Sequence, residues 1–352
     1  MEHARLRRDA HLAGRVGGRQ CARWSMPGCA RMLISRAVLE TDDSLHSRGS
    51  TRFGDSPRPR PDPNCNAGNQ GVCPLIIDTH THFYDPTRPQ GIPWPPADNE
   101  LLYRTVLPAH HRELAEREGI TGTVVVEASS WLDDNQWILD LAAEDPWIVG
   151  FVGHIDPGAE FAEQLARFAD HPQFLGIRLG GGVFDDLHSG TALQDIEELA
   201  KNLLALDVLV RGEQIDAVGA VARLFPELRI VIDHIGHVPI DGDEPEAAWQ
   251  EAMTRTAECR NVYCKVSAVA EQSVTQPAPS DADFYRPTLD ALWRIFGEDR
   301  VIFGTNWPVS DRAADFAAVV AIVRNYVEAL GPEAAAKYWY ANGKKAYRFT
   351  DR

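Results

Sequence analysis

The chain of 352 residues lacks any apolar stretch close to the roughly 18 residues that a membrane-spanning helix needs, which excludes a helical integral membrane protein. It also lacks an excess of basic residues: it contains 35 lysines and arginines but 51 aspartates and glutamates, which gives a formal charge of −16. That balance argues against a nucleic-acid partner, which would need a basic face. Its six cysteines form no Cys-x-x-Cys pair, so a thiolate zinc site is not predicted.

The first 74 residues differ in composition from the rest of the chain. They contain 12 arginines, no lysine and 7 acidic residues, so they carry +5 while residues 75–352 carry −21. The best apolar piece of this segment, residues 32–34, is interrupted by Arg36, so the apolar core of a secretory signal is missing. We therefore expect a basic, low-order extension over residues 1–74, a folded domain over residues 75–352, reduced cysteines and a cytoplasmic location.

From residue 75 onward, eight short apolar segments rich in β-branched residues alternate with amphipathic helical stretches. Nearly continuous apolar segments of this kind are typical of parallel strands covered on both faces. Eight alternations in 278 residues predict a (β/α)8 TIM barrel, a fold that usually takes about 250 residues. A doubly wound nucleotide-binding sheet is not favoured, since no glycine fingerprint follows the first segment. The predicted strands are Leu75–Thr79, Thr123–Glu127, Ile148–His154, Leu175–Leu179, Val208–Arg211, Arg229–Asp233, Val262–Val266 and Val301–Gly304.

Polar side chains lie at or near the end of most of these strands, where the catalytic groups of a TIM barrel are found. Several ionisable groups at one barrel mouth are costly unless they pair, bind a metal or meet a polar ligand. We therefore expect one site that collects these side chains. They are His80, His82, Glu127, His154, Arg178, Arg211, His234, Lys265 and Asn306, of which His154 is expected to be an ordinary loop or pocket-wall histidine.

The pair His80 and His82 predicts a metal site. In an extended segment, residues two apart point to the same side, so both imidazoles would face one point. Two neutral imidazoles suit Zn²⁺ or a similar divalent ion, and His234 follows the sixth strand where a third ligand would be needed. Asp78 could orient one of these ligands.

Five segments of the sequence, in this order, resemble the amidohydrolase superfamily and, more narrowly, its amidohydrolase-2 branch of sugar-acid and pyrone dicarboxylate lactonases. The resemblance covers roughly residues 75–350 and implies a barrel hydrolase with His80, His82 and His234 in its site. It also implies that Arg178 and Arg211 bind a carboxylate or a lactone carbonyl. Some lactonases of this branch need a metal and at least one type does not. The matching segments are Ile77–Pro86, Gly176–Arg178, Val231–Gly236, Val262–Ser267 and Ile302–Pro308.

The sequence departs from the branch at Asn306, where the branch normally has an aspartate. That aspartate would bind metal or take the proton from the attacking water, and an asparagine cannot act as a base. Three outcomes stay open. Glu127 or Asp311 could supply the base, the reaction could need less help from a base, or the protein could bind its ligand without turnover.

The resulting hypothesis is the hydrolysis of an intramolecular ester in a carboxylated sugar acid or an aromatic-catabolite lactone. Lys265 would contribute charge at the carbonyl, or else form an ion pair in the barrel mouth. The segment of residues 83–108 is predicted to be a stiff lid over the site. Its Tyr84 and Trp94 would either stack on a ring of the substrate or pack against the rim of the barrel. The expected partner is a small anionic substrate, and a homo-oligomer is possible.

Two other functions compete with this hypothesis. A metal-dependent, nonoxidative decarboxylase of an aromatic acid would use the same site without an attacking water. A noncatalytic ligand-binding barrel would retain the fold after losing the base, and Asn306 is the residue that favours it.

Overall fold

Eight parallel strands form a barrel in the computed structural model, which describes residues 75–188 and 190–350. Each strand pairs with the next one in chain order. The strand residues are almost all buried, as expected when side chains fill the barrel on one face and helices cover the other. The prediction of a (β/α)8 barrel is thus confirmed, while the predicted extension over residues 1–74 lies outside the described residues. The strands are β1 (Ile77–Thr81), β2 (Gly122–Val126), β3 (Ile148–Gly153), β4 (Phe174–Gly180), β5 (Ala205–Leu209), β6 (Arg229–Ile232), β7 (Val262–Val266) and β8 (Val301–Phe303).

Helices cover the outside of the barrel between successive strands and after the last one. Local signals set several of their ends: Pro108 and Pro332 begin two helices, and the Asp315 carboxylate accepts the backbone N–H of Ala318 at 2.8 Å. Within the described part of the chain, no helix is both long enough and apolar enough to cross a membrane. The helices are α1 (Pro108–Ala115), α2 (Asp134–Glu144), α3 (Phe161–Ala166), α4 (Gly182–Asp185), α5 (Ala192–Lys201), α6 (Gln214–Leu224), α7 (Ala247–Ala257), α8 (Arg286–Phe296), α9 (Phe316–Ala329), α10 (Pro332–Ala336) and α11 (Asn342–Tyr347).

The barrel closes where β1 meets the segment that follows β8. The backbone N–H of Asn306 donates to the His80 carbonyl and that of His82 donates to the Trp307 carbonyl, both at 2.9 Å. Next to them, the buried Asp78 carboxylate accepts the backbone N–H of Thr305 at 2.9 Å. Asp78 therefore ties the two ends of the barrel together. The seam also fixes Asn306 beside the two histidines of β1.

Two strands, β1 and β5, differ from the prediction by two residues or more. β1 lies two residues later than expected, so His80 is part of the strand itself. β5 begins at Ala205 instead of Val208. The helical pattern of the sequence extends over residues 193–206, but α5 ends at Lys201 and the apolar residues 204–206 belong to the sheet. Short apolar runs are ambiguous between helix and strand. The shift places Asp207 within a strand and inside the barrel.

Candidate active site

An open cavity of about 450 Å³ lies at the C-terminal ends of the strands. Its polar wall combines side chains that follow β1, β2, β6, β7 and β8 with one from β4. This is the face on which TIM barrels carry their chemistry. The lining residues are His82, Pro93, Trp94, Glu127, Ala128, Ser130, Arg178, Leu209, His234, His237, Ala268, Glu271, Gln272, Asn306 and Val309.

Three buried imidazoles cluster at the bottom of this cavity. The ring centre of His80 lies 5.0 Å from that of His82 and 4.5 Å from that of His234. Burial, reinforced by the charge of Arg178, lowers the pKa of His82 to about 4. Burial also holds the pKa values of His80 and His234 well below the ordinary value of 6.5. The three rings are therefore neutral at physiological pH, the form in which histidine binds a metal.

His80, Asp233 and His234 can together hold a metal ion. One donor atom from each of them lies within 4.8 Å of the other two. His80 Nε2 is buried and has no hydrogen-bond partner among the described residues, while His234 Nδ1 is held by Ser267 Oγ at 2.8 Å. Two imidazoles and a carboxylate are a donor set that divalent ions such as zinc accept. The residues present thus fit the metal that the sequence predicts.

His82 lies beside this donor set in a different hydrogen-bond setting. Its Nδ1 is 2.9 Å from the Val126 carbonyl oxygen, and its Nε2 is 3.2 Å from Asn306 Oδ1. The structure therefore brings His82, the second member of the predicted pair, into the site and turns its Nε2 towards Asn306 at the barrel seam.

The turn that carries His234 is strained. His234, Ile235 and Gly236 have φ values of 52°, 49° and 65°, a left-handed conformation that a β-branched isoleucine rarely adopts. Packing holds the turn, since Ile235 is fully buried and its carbonyl accepts the Trp249 indole N–H at 3.1 Å. Strain of this kind concentrates at functional sites, and here it fixes the direction of the imidazole.

A glycine after β8 leaves the room that His80 needs. A Cβ added at Gly304 would lie 2.8 Å from the Cβ of His80 and 3.3 Å from the Cβ of Ser267. The first distance is shorter than carbon atoms tolerate, so any larger residue would displace His80 from the donor set.

Lys265 lies inside the barrel and does not line the cavity. It is fully buried, and its Nζ is 2.7 Å from Asp207 Oδ2, 2.9 Å from Asp233 Oδ1 and 3.1 Å from His80 Nδ1. The Tyr347 hydroxyl lies 2.8 and 2.9 Å from the two oxygens of Asp207. Burial raises the pKa of Asp207 to about 7. Burial acts in the same direction on Asp233, but Lys265 and His80 outweigh it and hold its pKa well below the ordinary value.

Two of the predicted polar residues form one ion pair on the cavity wall. Arg178 donates from Nε and Nη2 to Glu127 Oε1 at 2.9 and 2.7 Å, and from Nη2 to the Glu127 carbonyl at 2.9 Å. These bonds do not use Nη1 of the arginine. Glu127 is thus held by a guanidinium, while Arg178 retains a donor for a ligand.

Two further predicted residues do not line the cavity. Asp311 forms an ion pair with Arg104 at 2.8 Å and is not among the lining residues. Arg211 is exposed and does not line the cavity either, although its charge helps to lower the pKa of His237 on the wall. The structure therefore places both side chains outside the wall that carries the clustered imidazoles.

The predicted lid is a loop pinned at both ends. Backbone hydrogen bonds in both directions join Tyr84 and Val106, at 2.9 and 2.8 Å. The Tyr84 hydroxyl donates to the Leu102 carbonyl at 2.8 Å, so it is used within the loop. Trp94 packs edge-on against both Tyr84 and His82 and lines the cavity. Of the two predicted aromatic residues, Trp94 is the one placed to meet a ligand.

Glu271 joins the site although the sequence analysis missed it. It lines the cavity, and Asn306 Nδ2 donates to its Oε1 at 2.7 Å. Burial raises the pKa of Glu271 to about 7. The residue follows no strand end directly, and its one signal is that no other charged residue occurs between Lys265 and Asp281.

Comparison with known proteins gives one family. The sequence profile of the family described as Amidohydrolase matches residues 77–349, so the resemblance seen in the sequence motifs is confirmed.

Two curated relatives share the length of the barrel. An L-fucono-1,5-lactonase from Burkholderia ambifaria is 33% identical over 280 residues, which are 77% of this chain and 95% of the relative. An L-fucono-1,5-lactonase from Burkholderia multivorans is 27% identical over 78% of this chain and 96% of its own length.

A solved structure of an amidohydrolase from Burkholderia multivorans with bound zinc resembles the same part of the chain. It is 26% identical, has a TM-score of 0.69 and covers 78% of this chain and 100% of its own.

Proposed function

Because the chain belongs to the amidohydrolase family, we propose that it is a hydrolase that opens the ring ester of a sugar-acid lactone with water. The observation that carries this proposal is the cluster of neutral imidazoles at the bottom of an open cavity, beside an arginine with a free donor. Two relatives that cover over three quarters of the chain are named lactonases, which supports the same bond type.

We infer that His80, Asp233 and His234 hold a divalent metal, with zinc favoured by the nitrogen-rich donor set. His82 stays a predicted fourth member of this set. When bound, such an ion polarises a carbonyl and lowers the pKa of water that it binds. Lys265 would then act indirectly. Its ammonium group lies 2.9 Å from Asp233 and would orient that carboxylate as a metal ligand.

The cavity wall accounts for the recognition of the substrate. Arg178 would donate Nη1 to a hydroxyl, carbonyl or carboxylate oxygen of the lactone, while Glu127 keeps the guanidinium plane fixed. Trp94 offers an apolar face on which the ring of the substrate can pack. As water adds to the carbonyl carbon, the carbonyl oxygen gains negative charge in a cavity lined by neutral imidazoles and one cation.

The test is a panel of aldonolactones, dicarboxylate lactones and aromatic acids, followed by acid titration and by CO2 release. We expect acid release from at least one sugar-acid lactone and about one bound divalent ion per chain. Release of CO2 instead would favour the decarboxylase, and binding without either product would favour the noncatalytic barrel. His80→Ala and His234→Ala should lose the metal, whereas the exposed His188→Ala serves as control.

A cytoplasmic location and a homo-oligomer remain predictions of the sequence. Size-exclusion chromatography with light scattering tests the second of them directly.

A further inference from the structure

We propose that Glu271 is the catalytic acid–base residue of this site, taking the proton of the attacking water that Asn306 cannot take. The inference rests on the proposed lactone hydrolysis and names the residue that moves its proton. It assigns to a loop after β7 the task that the family's strand-8 aspartate would perform.

The position of Glu271 is the first argument. Its side chain is part of the cavity wall and is joined to Asn306 by a hydrogen bond of 2.7 Å. Asn306 in turn lies 3.2 Å from Nε2 of His82. The Glu271 carboxyl is therefore in direct contact with the side chain of residue 306, where the family normally has an aspartate.

The contacts of the other acids are the second argument. Glu127 is held by Arg178 at 2.7 Å, and Asp311 is held by Arg104 outside the cavity. Asp233 is ion-paired with Lys265 inside the barrel. By contrast, Glu271 has no ion pair, and its enclosed Oε2 has no hydrogen-bond partner among the described residues. Of the two acids of the cavity wall, Glu127 and Glu271, only Glu271 is not held by a cation among the described residues.

The surroundings of Glu271 suit a group that works near neutral pH. Burial is the largest influence and raises its pKa to about 7. The hydrogen bond from Asn306, the backbone N–H of Glu271 itself and the charge of Arg312 act against burial, while Asp311 acts with it. Glu271 in turn helps to raise the pKa of Tyr285, which lies near it. The other titratable groups on the wall of the same cavity are His82, Glu127, Arg178, His234 and His237.

Glu271 alone can carry out both proton transfers that the hydrolysis needs. Ionised Glu271 accepts a proton from water as the water oxygen bonds to the lactone carbonyl carbon. The bond between that carbon and the ring oxygen then breaks, and Glu271–H returns the proton to the leaving oxygen as it becomes a hydroxyl. Lactone and water thus give one hydroxy acid, and Glu271 ends ionised as it began.

The test is Glu271→Gln, which preserves size and a hydrogen-bond partner for Asn306 but removes the proton carrier. We expect kcat to fall by about 10²-fold or more, the usual contribution of general acid–base catalysis, while KM changes less than about threefold. The acidic limb of the kcat profile, near pH 7 in the wild type, should disappear. The exposed Glu258→Gln is the matched control. Wild-type kcat in Glu271→Gln, or an unchanged acidic limb, would overturn the assignment.

A second variant guards against a merely structural loss. Asn306→Asp in the Glu271→Gln background supplies a carboxylate 2.7 Å from the lost one, and we expect it to recover at least about tenfold of the lost kcat. Failure of this rescue while both variants remain folded and bind metal would count against Glu271 as the base.

One readout needs no substrate and so separates this proposal from the proposed function. Infrared difference spectra between pH 5 and pH 9 are recorded for the wild type and for Glu271→Gln, and the second set is subtracted from the first. The buried Asp207, whose pKa is also raised to about 7, contributes to both proteins and cancels, so a protonated carboxyl band that titrates near pH 7 and survives the subtraction belongs to Glu271. A panel on which the wild type hydrolyses no lactone would refute the proposed function and leave this band in place. Absence of the band after the subtraction would refute the role of Glu271 itself.

Discussion

Replacing Lys265 with methionine removes the ammonium that Asp207 and Asp233 share inside the barrel. The Lys265 side chain is fully buried, as are both carboxylates, so no solvent can take over the role of the lost charge. Methionine preserves the length and most of the volume of the lysine, so that the change tests charge and not packing.

The magnitude follows from what remains behind. Breaking a buried ion pair by removing one partner costs about 3–5 kcal/mol, because the other partner stays uncompensated. Here two carboxylates remain: Asp207 keeps the hydrogen bond from the Tyr347 hydroxyl, whereas Asp233 keeps only the weaker contact of its Oδ1 with His80 Nδ1 at 3.4 Å among the described residues. We therefore expect the free energy of unfolding to fall by about 3–5 kcal/mol at pH 8.

The loss should be smaller at pH 5.5. Burial raises the pKa of Asp207 and of Asp233, and Lys265 is the largest influence that opposes it at both carboxyls. Without Lys265 we expect both folded pKa values to lie above the unfolded value of 3.8, so that the folded state holds protons that the unfolded state has released. Stability of the variant then decreases as the pH rises from about 4 through the raised folded pKa values. Protonation at pH 5.5 removes part of the buried charge and recovers part of the stability.

The assay is urea unfolding followed by tryptophan fluorescence at both pH values, with the slope of the transition used to verify that the same surface unfolds. The control is Lys201→Met, at an exposed ion pair with Glu198, which should leave the urea midpoint nearly unchanged. A Lys265→Met protein within about 1 kcal/mol of the wild type at pH 8, or equally destabilised at both pH values, would refute this reasoning.

Three further predictions concern the site. Gly304→Ala should displace His80 and lower metal content more than about tenfold under dialysis, measured by mass spectrometry, because its Cβ would lie 2.8 Å from that of His80. Arg178→Met should raise KM more than about tenfold on the lactone panel, whereas Arg211→Met, at an exposed position outside the cavity, should leave kcat/KM within about twofold. In metal-free protein the free energy of unfolding should fall as the pH decreases from 6.5 towards 4, because His82 binds a proton in the unfolded state but stays neutral in the folded state, where its pKa is about 4. His82 alone accounts for about 3 kcal/mol of this loss, which urea unfolding at several pH values can measure.

The barrel could be predicted because its strands are buried on both faces. A run such as Gly122–Val126 is apolar without alternation, and eight such runs with helical stretches between them leave few other folds. The pair of His80 and His82 could be predicted for a related reason, because side chains two apart share one side of an extended segment. Both inferences depend only on local periodicity.

The missed residues depend on contacts between distant segments. Asp207 escaped because the apolar residues before it continue the pattern of α5, so its strand was assigned too late. Glu271 escaped because it lies five residues beyond β7, in a loop whose path alone brings it to Asn306. No periodicity describes such a path, and a single unpaired acid in a neutral loop was the available signal.

Because Tyr347 lies at the end of α11, close to the C-terminal end of the barrel sequence, a newly synthesised chain completes the hydrogen bonds inside its barrel late. The Tyr347 hydroxyl serves Asp207, and Asn342 of the same helix donates to the Val301 carbonyl of β8 at 2.9 Å. The strands leave the ribosome one after another, but Asp207 inside the barrel lacks the hydrogen bond from the Tyr347 hydroxyl until translation has passed residue 347. A chain truncated before Tyr347 would bury Asp207 without this hydrogen bond and would be less stable. We expect such truncated chains to unfold more often and to be degraded by the cell's proteases.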